Sequence, residues 1–404
     1  MTRALGQYLI VTASYWGFTL SDGALRILVL FHFYTLGYSP FTLAMLFLLY
    51  EAAGVIANLG GGWLATRFGI PRMLQLGMVL QVLGLVLLSG LDPAVDPALS
   101  VIWVLAAQGI AGLAKDITKT ASKSAIKHVG IDEDQGLFRW VAWFTGSKNA
   151  MKGIGFFLGG VILTTIGFRG GLWLMAGMLG LLAVMVTAIL PATLGRGVSS
   201  RSMGELFSKS PAVNILAAAR IFLFGARDIW FVVALPVFLY THGWDFWQVG
   251  GFLAAWTVIY GGVQGIAPQI IHATTRDGAG SSGGTLGWAV LLAAIPITLL
   301  LALMIRPDIP VLITGLLAFG LAFAVNSSLH SFLIVAHAGS RKAAEDIGFY
   351  YAANAAGRFA GTFLSGLLYQ AGGMMTCLIG SAVFLGITAM VISRLPAAAP
   401  SLPR

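Results

Sequence analysis

The sequence predicts an all-α integral membrane protein with twelve transmembrane helices arranged as two pseudo-symmetric six-helix bundles. Apolar side chains make up 58% of its 404 residues and charged side chains only 10%, against about 25% in ordinary soluble domains. The mean hydropathy is +0.87. Since each crossing takes about 20 apolar residues, the chain has room for roughly 12 crossings and for no large domain outside the membrane.

Hydropathy along the chain divides it into twelve apolar segments with short polar connections. One longer polar stretch, residues 192–210, predicts a cytoplasmic linker between an N-terminal bundle, 1–191, and a C-terminal bundle, 211–404. The predicted spans, numbered in chain order, are residues 8–35, 41–66, 73–91, 99–122, 138–166, 171–191, 211–240, 247–272, 284–305, 309–337, 347–370 and 374–394.

The connections between the spans alternate in charge. Fourteen lysines and arginines lie in the termini and one set of connections, whereas the other set contains only Arg169 and Arg306. Because cytoplasmic loops carry the excess of basic residues, both termini are predicted to be cytoplasmic. The formal net charge of +9 is therefore mostly a matter of topology, and we expect no nucleic-acid partner.

The two halves repeat one another at an offset of 206 residues. This shift aligns Asp22 with Asp228 and Lys152 with Arg358, so that an acid meets an acid and a cation meets a cation. Glycines near these positions align at the same shift. Matches in spans one and seven and again in spans five and eleven indicate two parallel six-helix halves.

Ionisable side chains lie within several spans, where each costs about 3 kcal/mol or more unless it faces protein or water. Their balance is eight cations against four acids. An excess of positive charge is hard to keep desolvated without an anion, which favours a binding site for a polyanion. Spans three, six, nine and twelve carry none of these residues, which are Asp22, Arg26, Glu51, Lys115, Asp116, Lys119, Lys148, Lys152, Arg220, Arg227, Asp228 and Arg358.

Some of these charges are expected to pair with one another. Spacing favours ion pairs of Asp22 with Arg26 and of Asp116 with Lys119, and Glu51 can accept a further cation. About half of the cations are expected to be paired in this way, and the four acids are candidate coupling or counter-ion residues. The candidate substrate-binding residues are Arg26, Lys115, Lys119, Lys148, Lys152, Arg227, Arg358 and Asn354.

The sequence offers little for catalysis or metal binding. Its one cysteine, Cys377, excludes a disulfide framework and a cysteine-based metal cluster. No Ser/His/Asp, metal-ligand or nucleotide-binding spacing is present. His330 in span ten is predicted to be a hydrogen-bonded lining residue, with proton transfer as the alternative. We therefore expect a transporter without cofactor or metal, and a membrane sensor or membrane enzyme is the alternative of a different class.

A short motif connects spans two and three. It comprises Gly62, Arg67, Gly69 and Arg72 in the string GWLATRFGIPR. Together with the six-plus-six layout, it resembles the gate loop of the major facilitator superfamily, although Thr66 stands where the family usually has an aspartate. The resemblance implies a central cavity lined by the charged spans, with spans three, six, nine and twelve outside, and transport by alternating access.

Five longer strings stand out: YWGFTLSDGALR, AKDITKTASKSAIK, TGSKNAMKGIGFFLGG, FLFGARDIWFVVALPVF and GFYYAANAAGRFAGTFLSGLLYQ. These strings resemble a narrower family, the organoarsenical efflux permeases (ArsJ type) of bacterial arsenic-resistance operons. The resemblance implies a multi-pass protein of the bacterial inner membrane that exports 1-arseno-3-phosphoglycerate, which glyceraldehyde-3-phosphate dehydrogenase forms from arsenate. We expect it to act as a monomer. The residues themselves leave phosphate, sugar phosphates and other organic anions open, and also the driving ion.

Overall fold

The structure is a computed structural model that describes residues 3–92, 96–125, 136–191, 194, 210–274, 282–337 and 343–396. These residues are almost entirely helical. The helices are α1 (Arg3–Thr35), α2 (Pro40–Phe68), α3 (Ile70–Ser89), α4 (Pro97–Ala125), α5 (Gly136–Thr165), α6 (Gly167–Ile189), α7 (Pro211–Phe231), α8 (Ala234–Thr241), α9 (Phe246–Thr274), α10 (Ser282–Ile305), α11 (Ile309–His337) and α12 (Ala343–Ile392).

Nine segments of the described chain are long and apolar enough to cross a membrane. One of them, Pro211–Thr241, contains both α7 and α8. Another corresponds to α12, whose backbone is non-helical at Gly372 and Gly373, so that it consists of two helices joined at a kink. The nine do not include α1 and α5, which carry several of the ionisable residues. The all-helical membrane fold is confirmed, and the count of twelve spans and the cytoplasmic termini stay predictions.

The break between α7 and α8 has a local cause. Pro236 lacks the N–H that would hydrogen-bond to the carbonyl of Val232 in a continuous helix. The hydroxyl of Ser365 on α12 accepts hydrogen bonds from the backbone N–H groups of Val233 at 3.2 Å and Ala234 at 3.1 Å. The Ser365 hydroxyl therefore satisfies two backbone donors at the break.

The helices form two compact units. Unit 1 comprises Met1–Tyr38, Met45–Ser202 and Leu239–Val258, and unit 2 comprises Ser39–Ala44, Met203–Phe238 and Ile259–Arg404. In unit 1, α1 packs against α4, α5 and α6, and α3 packs against α4 and α6. In unit 2, α7 packs against α11 and α12, and α10 also packs against both. The predicted linker lies outside the described residues except for Leu194 and Ser210, and the predicted bundle boundaries stay predictions.

Glycines allow one pair of helices in each unit to approach closely. In unit 1, a Cβ atom at Gly23 of α1 would lie 3.2 Å from the Cα atom of Gly155 of α5. In unit 2, a Cβ atom at Gly361 of α12 would lie 2.6 Å from the carbonyl oxygen of Gly225 of α7. Gly155 and Gly361 are 206 residues apart, so the sequence repeat coincides with a repeated helix contact.

Three helices expose large apolar side chains along their length. α6 and α10 are the least buried of the nine segments, with 28% and 22% of their most apolar stretch buried. On α3, Leu76, Val79 and Leu83 are exposed. Such a surface is suited to contact with lipid. These helices correspond to spans three, six and nine, which carry no intramembrane charge.

Candidate substrate-binding site

Asp22 of α1 joins three helices of unit 1. The hydroxyl of Tyr50 on α2 donates a hydrogen bond to Asp22 Oδ1 at 2.5 Å. Lys152 Nζ on α5 lies 3.7 Å from Asp22 Oδ2. A Cβ atom at Gly23 would lie 2.6 Å from the carbonyl oxygen of Lys152. The glycine contact of α1 and α5 therefore brings this lysine to the buried carboxylate.

Glu51 of α2 is wholly buried and faces two cations. Arg26 Nη2 donates to Glu51 Oε1 at 2.7 Å, and Lys115 Nζ lies 3.8 Å from Oε2. The Lys115 ammonium also lies 3.9 Å from the ring centroid of Tyr50, a cation–π geometry. The predicted pair of Asp22 with Arg26 is wrong, because the buried Glu51 carboxylate requires a cation and lies within reach of Arg26.

Lys119 binds Asp116 one turn away on α4, and the spacing of the two residues predicted this pair. Asn58 on α2 contacts both side chains: its Oδ1 accepts from Lys119 Nζ at 2.9 Å, and its Nδ2 donates to Asp116 Oδ1 at 3.2 Å. Lys115 Nζ lies 3.4 Å from Asp116 Oδ2. Lys115 is thus shared by Asp116 and Glu51, and the charges of α1, α2 and α4 form one connected network.

Asp228 of α7 in unit 2 is also wholly buried and binds two arginines. Arg227 Nε donates to Asp228 Oδ1 at 2.7 Å. Arg358 Nε, from α12, donates to Asp228 Oδ2 at 3.2 Å. A Cβ atom at Gly361 would lie 2.8 Å from the Cβ atom of Asp228. The close contact of α7 and α12 thus brings Arg358 to the carboxylate.

Arg220 of α7 has only neutral partners. Its Nε donates to Asn354 Oδ1 at 3.2 Å, and its Nη1 donates to the carbonyl oxygen of Ser327 at 3.2 Å. The guanidinium carbon lies 3.9 Å from the ring centroid of Phe224. Among the described residues, no carboxylate lies within 4.0 Å of its guanidinium nitrogens. The structure therefore places Asn354 beside Arg220 and not in the Asp228 cluster, which consists of Asp228, Arg227 and Arg358.

His330 of α11 is wholly buried, and neither ring nitrogen has a hydrogen-bond partner among the described residues. The prediction of a hydrogen-bonded lining residue is therefore wrong. Asn326 and Ser327 lie one turn before it on α11, and neither side chain hydrogen-bonds to the ring.

Ion pairing is more extensive than the sequence analysis expected. Glu51, Asp116 and Asp228 each serve two cations, which explains why more than half of the cations are paired. The intramembrane charges show a surplus of cations in both units: five cations and three carboxylates in unit 1, and three cations and one carboxylate in unit 2, where the buried Asp346 near the start of α12 adds a second carboxylate. The half-buried Lys148 is one of the five, one turn before Lys152 on α5. The cations seen within 4 Å of a carboxylate include Arg26, Lys115, Lys119, Lys152, Arg227 and Arg358.

The predicted gate motif lies where α2 meets α3. Gly69 separates the two helices with a φ of 83°, a left-handed conformation that favours glycine. Arg72 is exposed in the first turn of α3. The side chains of residues 60–67, and with them those of Gly62 and Arg67, lie outside the described part of the chain. The structure therefore leaves the gating role a prediction.

Two neutral partners of the charges, Tyr50 and Asn58, are not among the residues predicted from the sequence. Tyr50 precedes Glu51 in the sequence, and Asn58 follows Glu51 by seven residues, or two helical turns, on the same face. That spacing was the available signal. Arg220 was counted as an intramembrane cation but was not assigned to the site, because its neutral partners come from distant parts of the chain.

Residues 8–276 match the family model of the Major Facilitator Superfamily, and the chain belongs to that superfamily. A crystal structure of a POT family transporter in complex with a thioalcohol-conjugated peptide aligns with a TM-score of 0.75 and 14% identity over 96% of this chain and 95% of that one. A mutant of the nucleoside transporter NupG aligns with a TM-score of 0.71 and 15% identity over 96% and 98%. A comparison with curated proteins gave no match. Membership of the Major Facilitator Superfamily identifies the protein as a secondary transporter of the membrane and not an enzyme.

Proposed function

We propose that the protein exports an anionic organoarsenical, 1-arseno-3-phosphoglycerate, from the bacterial cytoplasm across the inner membrane by alternating access. The observation that carries the proposal is the surplus of buried or half-buried cations over carboxylates in each unit. A charge surplus of this kind is costly unless an anion offsets it. The strings shared with organoarsenical efflux permeases support the choice of anion.

The chemistry of this substrate suits the side chains. It carries oxidised arsenic as an ester at one end and a phosphate at the other. Arginine grips such tetrahedral oxyanions through two N–H groups, and lysine contributes a point charge. Inside the cell, glyceraldehyde-3-phosphate dehydrogenase supplies the ester. Outside the cell, the ester hydrolyses and releases arsenate, so the permease and the dehydrogenase together confer arsenate resistance.

Lys152 and Arg358 are the leading candidates for contact with the substrate. Lys152 Nζ lies 3.7 Å from Asp22 Oδ2 on α1, and Arg358 Nε donates to Asp228 Oδ2 on α7 at 3.2 Å. In each pair, an incoming anion would compete with the carboxylate for the cation, so binding of the substrate is linked to the protonation of the carboxylate. The other predicted binding residues, Arg26, Lys115, Lys119, Lys148, Arg227 and Asn354, are proposed as supporting contacts.

The test uses everted membrane vesicles, whose cytoplasmic face is outside. The medium contains labelled arsenate, glyceraldehyde 3-phosphate, NAD and glyceraldehyde-3-phosphate dehydrogenase, so that the short-lived ester forms continuously. We expect arsenic uptake only when the dehydrogenase and NAD are both present. Arsenate or phosphate uptake without the dehydrogenase would replace the proposal with an oxyanion carrier, and no uptake in either condition would point to other organic anions.

Two matched arginine variants control the assay. Arg358→Ala removes a half-buried arginine of the Asp228 cluster, and we expect it to abolish uptake. Arg306→Ala removes an arginine whose side chain is 76% exposed and pairs with Asp308, and we expect uptake at the wild-type rate. Equal losses in the two variants would show that the assay reports general damage and not the loss of a binding residue.

A further inference from the structure

Arg220 is a buried guanidinium whose donors are only partly used. It is 4% exposed. Its Nε and Nη1 groups bind Asn354 and Ser327, whereas Nη2 has no hydrogen-bond acceptor among the described residues. A buried cation without a carboxylate partner is costly, because neutral acceptors offset only part of its lost hydration.

Polar groups from three neighbouring helices surround this guanidinium. Ser327 Oγ on α11 lies 3.4 Å from Arg220 Nη1 and accepts a hydrogen bond from Tyr260 Oη on α9 at 3.3 Å. Gln264 Nε2, one turn further along α9, donates to Tyr260 Oη at 2.8 Å and to Ser327 Oγ at 3.3 Å. With Asn354 of α12, these side chains provide hydroxyl and amide groups around a positive charge, as an oxyanion requires. His330, one turn beyond Ser327 on α11, adds a buried imidazole without a described partner.

The position of Arg220 relative to the Asp228 cluster indicates the kind of ligand that Arg220 binds. Arg220 and Arg227 are seven residues apart on α7, hence on the same helix face and about 10 Å apart along its axis. A small organic anion with a charged group at each end spans a comparable length. The Asp228 cluster is shared by two arginines and is therefore suited to the other end.

We propose that Arg220, oriented by Asn354 and Ser327, binds one oxyanion group of the substrate, a phosphate-type group or a carboxylate. Arg227 and Arg358 bind the group at the opposite end. The inference rests on the proposed function only in that the substrate is an organic anion charged at both ends. Arg220, with Asn354 and Ser327, thus serves substrate recognition rather than helix packing.

The experiment compares two stable probes that bind to the purified protein in lipid nanodiscs. 3-Phosphoglycerate has a phosphate and a carboxylate, whereas glycerol 3-phosphate has the same phosphate and a neutral hydroxymethyl group in place of the carboxylate. By calorimetry, the wild type is expected to prefer the two-ended probe about ten-fold, the contribution of one charge-assisted contact. Arg220→Gln should reduce the ratio of the two dissociation constants to about one, because only one end is still held.

A second variant guards against misfolding of Arg220→Gln. Asn354→Asp puts a carboxylate beside Arg220 and neutralises it while the guanidinium stays in place. We expect this variant to lose the preference as well, whereas Arg306→Gln, at an exposed position, retains it. A wild-type ratio in either Arg220→Gln or Asn354→Asp would overturn the proposal and leave Arg220 a packing residue.

The outcomes for the subsite and for the proposed function are separable. Binding to the isolated protein requires neither arsenic nor transport. Loss of the preference in both variants, together with vesicle uptake that does not depend on the dehydrogenase, would support the subsite and refute the organoarsenical substrate. Uptake that depends on the dehydrogenase, with an unchanged preference in the variants, would support the substrate and refute the subsite.

Discussion

Arg358 Nε donates to Asp228 Oδ2 at 3.2 Å and so joins α12 to α7 in unit 2. The equivalent pair in unit 1, 206 residues earlier in the sequence, is Lys152 with Asp22 at 3.7 Å between α5 and α1. In both units the cation comes from the helix whose glycine allows the close contact. The repeat therefore preserves a buried ion pair as well as the helix arrangement, and it gives each unit a cation that an anionic substrate can compete for.

Replacement of either cation should stop transport. We expect Lys152→Ala and Arg358→Ala to reduce export in everted vesicles to background, because each removes a positive charge that the substrate needs in the membrane interior. Membrane insertion should be preserved, as shown by a wild-type elution profile of the solubilised protein. Wild-type transport in either variant would remove that residue from the site.

A charge-preserving exchange should separate charge from hydrogen-bond geometry. The two units place lysine and arginine at equivalent positions, so Lys152→Arg should retain most of the export rate. Arg358→Lys should lose more, since Arg358 donates from Nε to Asp228 and a lysine cannot reproduce the planar guanidinium fork. Initial rates at several substrate concentrations would measure both effects. Equal losses would contradict a specific role for the guanidinium.

Sequence patterns predicted the membrane fold, the Asp116–Lys119 pair and the equivalence of Lys152 with Arg358, because all three depend on composition or on spacing along one chain. The partner of Arg26 could not be read in this way. Spacing on α1 favours Asp22, but the deciding factor is the wholly buried Glu51 that α2 brings within 2.7 Å. Packing between residues far apart in the sequence determines which helices become neighbours and how they are shifted along their axes.

The two buried aspartates should differ in their contribution to stability. Asp228 binds two arginines, and its replacement by asparagine leaves both uncompensated. Asp228→Asn is therefore expected to lower the free energy of unfolding by about 3–5 kcal/mol. Asp22 faces one lysine at 3.7 Å and the neutral Tyr50 hydroxyl, so Asp22→Asn should cost less, about 1–3 kcal/mol.

Denaturant unfolding in mixed micelles measures this difference. Asp308→Asn is the matched control, because Asp308 pairs with an arginine whose side chain is 76% exposed and such surface pairs contribute little. A larger loss for Asp22→Asn than for Asp228→Asn would contradict the comparison of the two aspartates.

Close helix contact in unit 2 should be sensitive to a single methyl group. A Cβ atom at Gly361 would lie 2.6 Å from the carbonyl oxygen of Gly225 and 2.8 Å from Asp228 Cβ. We expect Gly361→Ala to displace α12 from α7, to destabilise the protein by about 1–3 kcal/mol and to reduce export. Gly386→Ala is the control, since no heavy atom lies within 4 Å of its Cβ position. Thermal unfolding and vesicle uptake should change in Gly361→Ala only.

If export is driven by protons, neutralising Asp22 is the substitution best suited to remove proton coupling without disrupting the other charges. Among the four carboxylates of the clusters, Glu51, Asp116 and Asp228 each face two cations, whereas Asp22 faces one. Neutralising Asp22 therefore disturbs the network of charges least. We expect Asp22→Asn to retain anion binding while its uptake no longer responds to the pH gradient.

Wild-type vesicles should lose uptake when nigericin collapses the gradient, and Asp308→Asn vesicles should behave like the wild type. Unchanged wild-type uptake after collapse of the gradient would exclude proton coupling altogether, whereas a gradient-dependent Asp22→Asn variant would move the coupling role to another carboxylate.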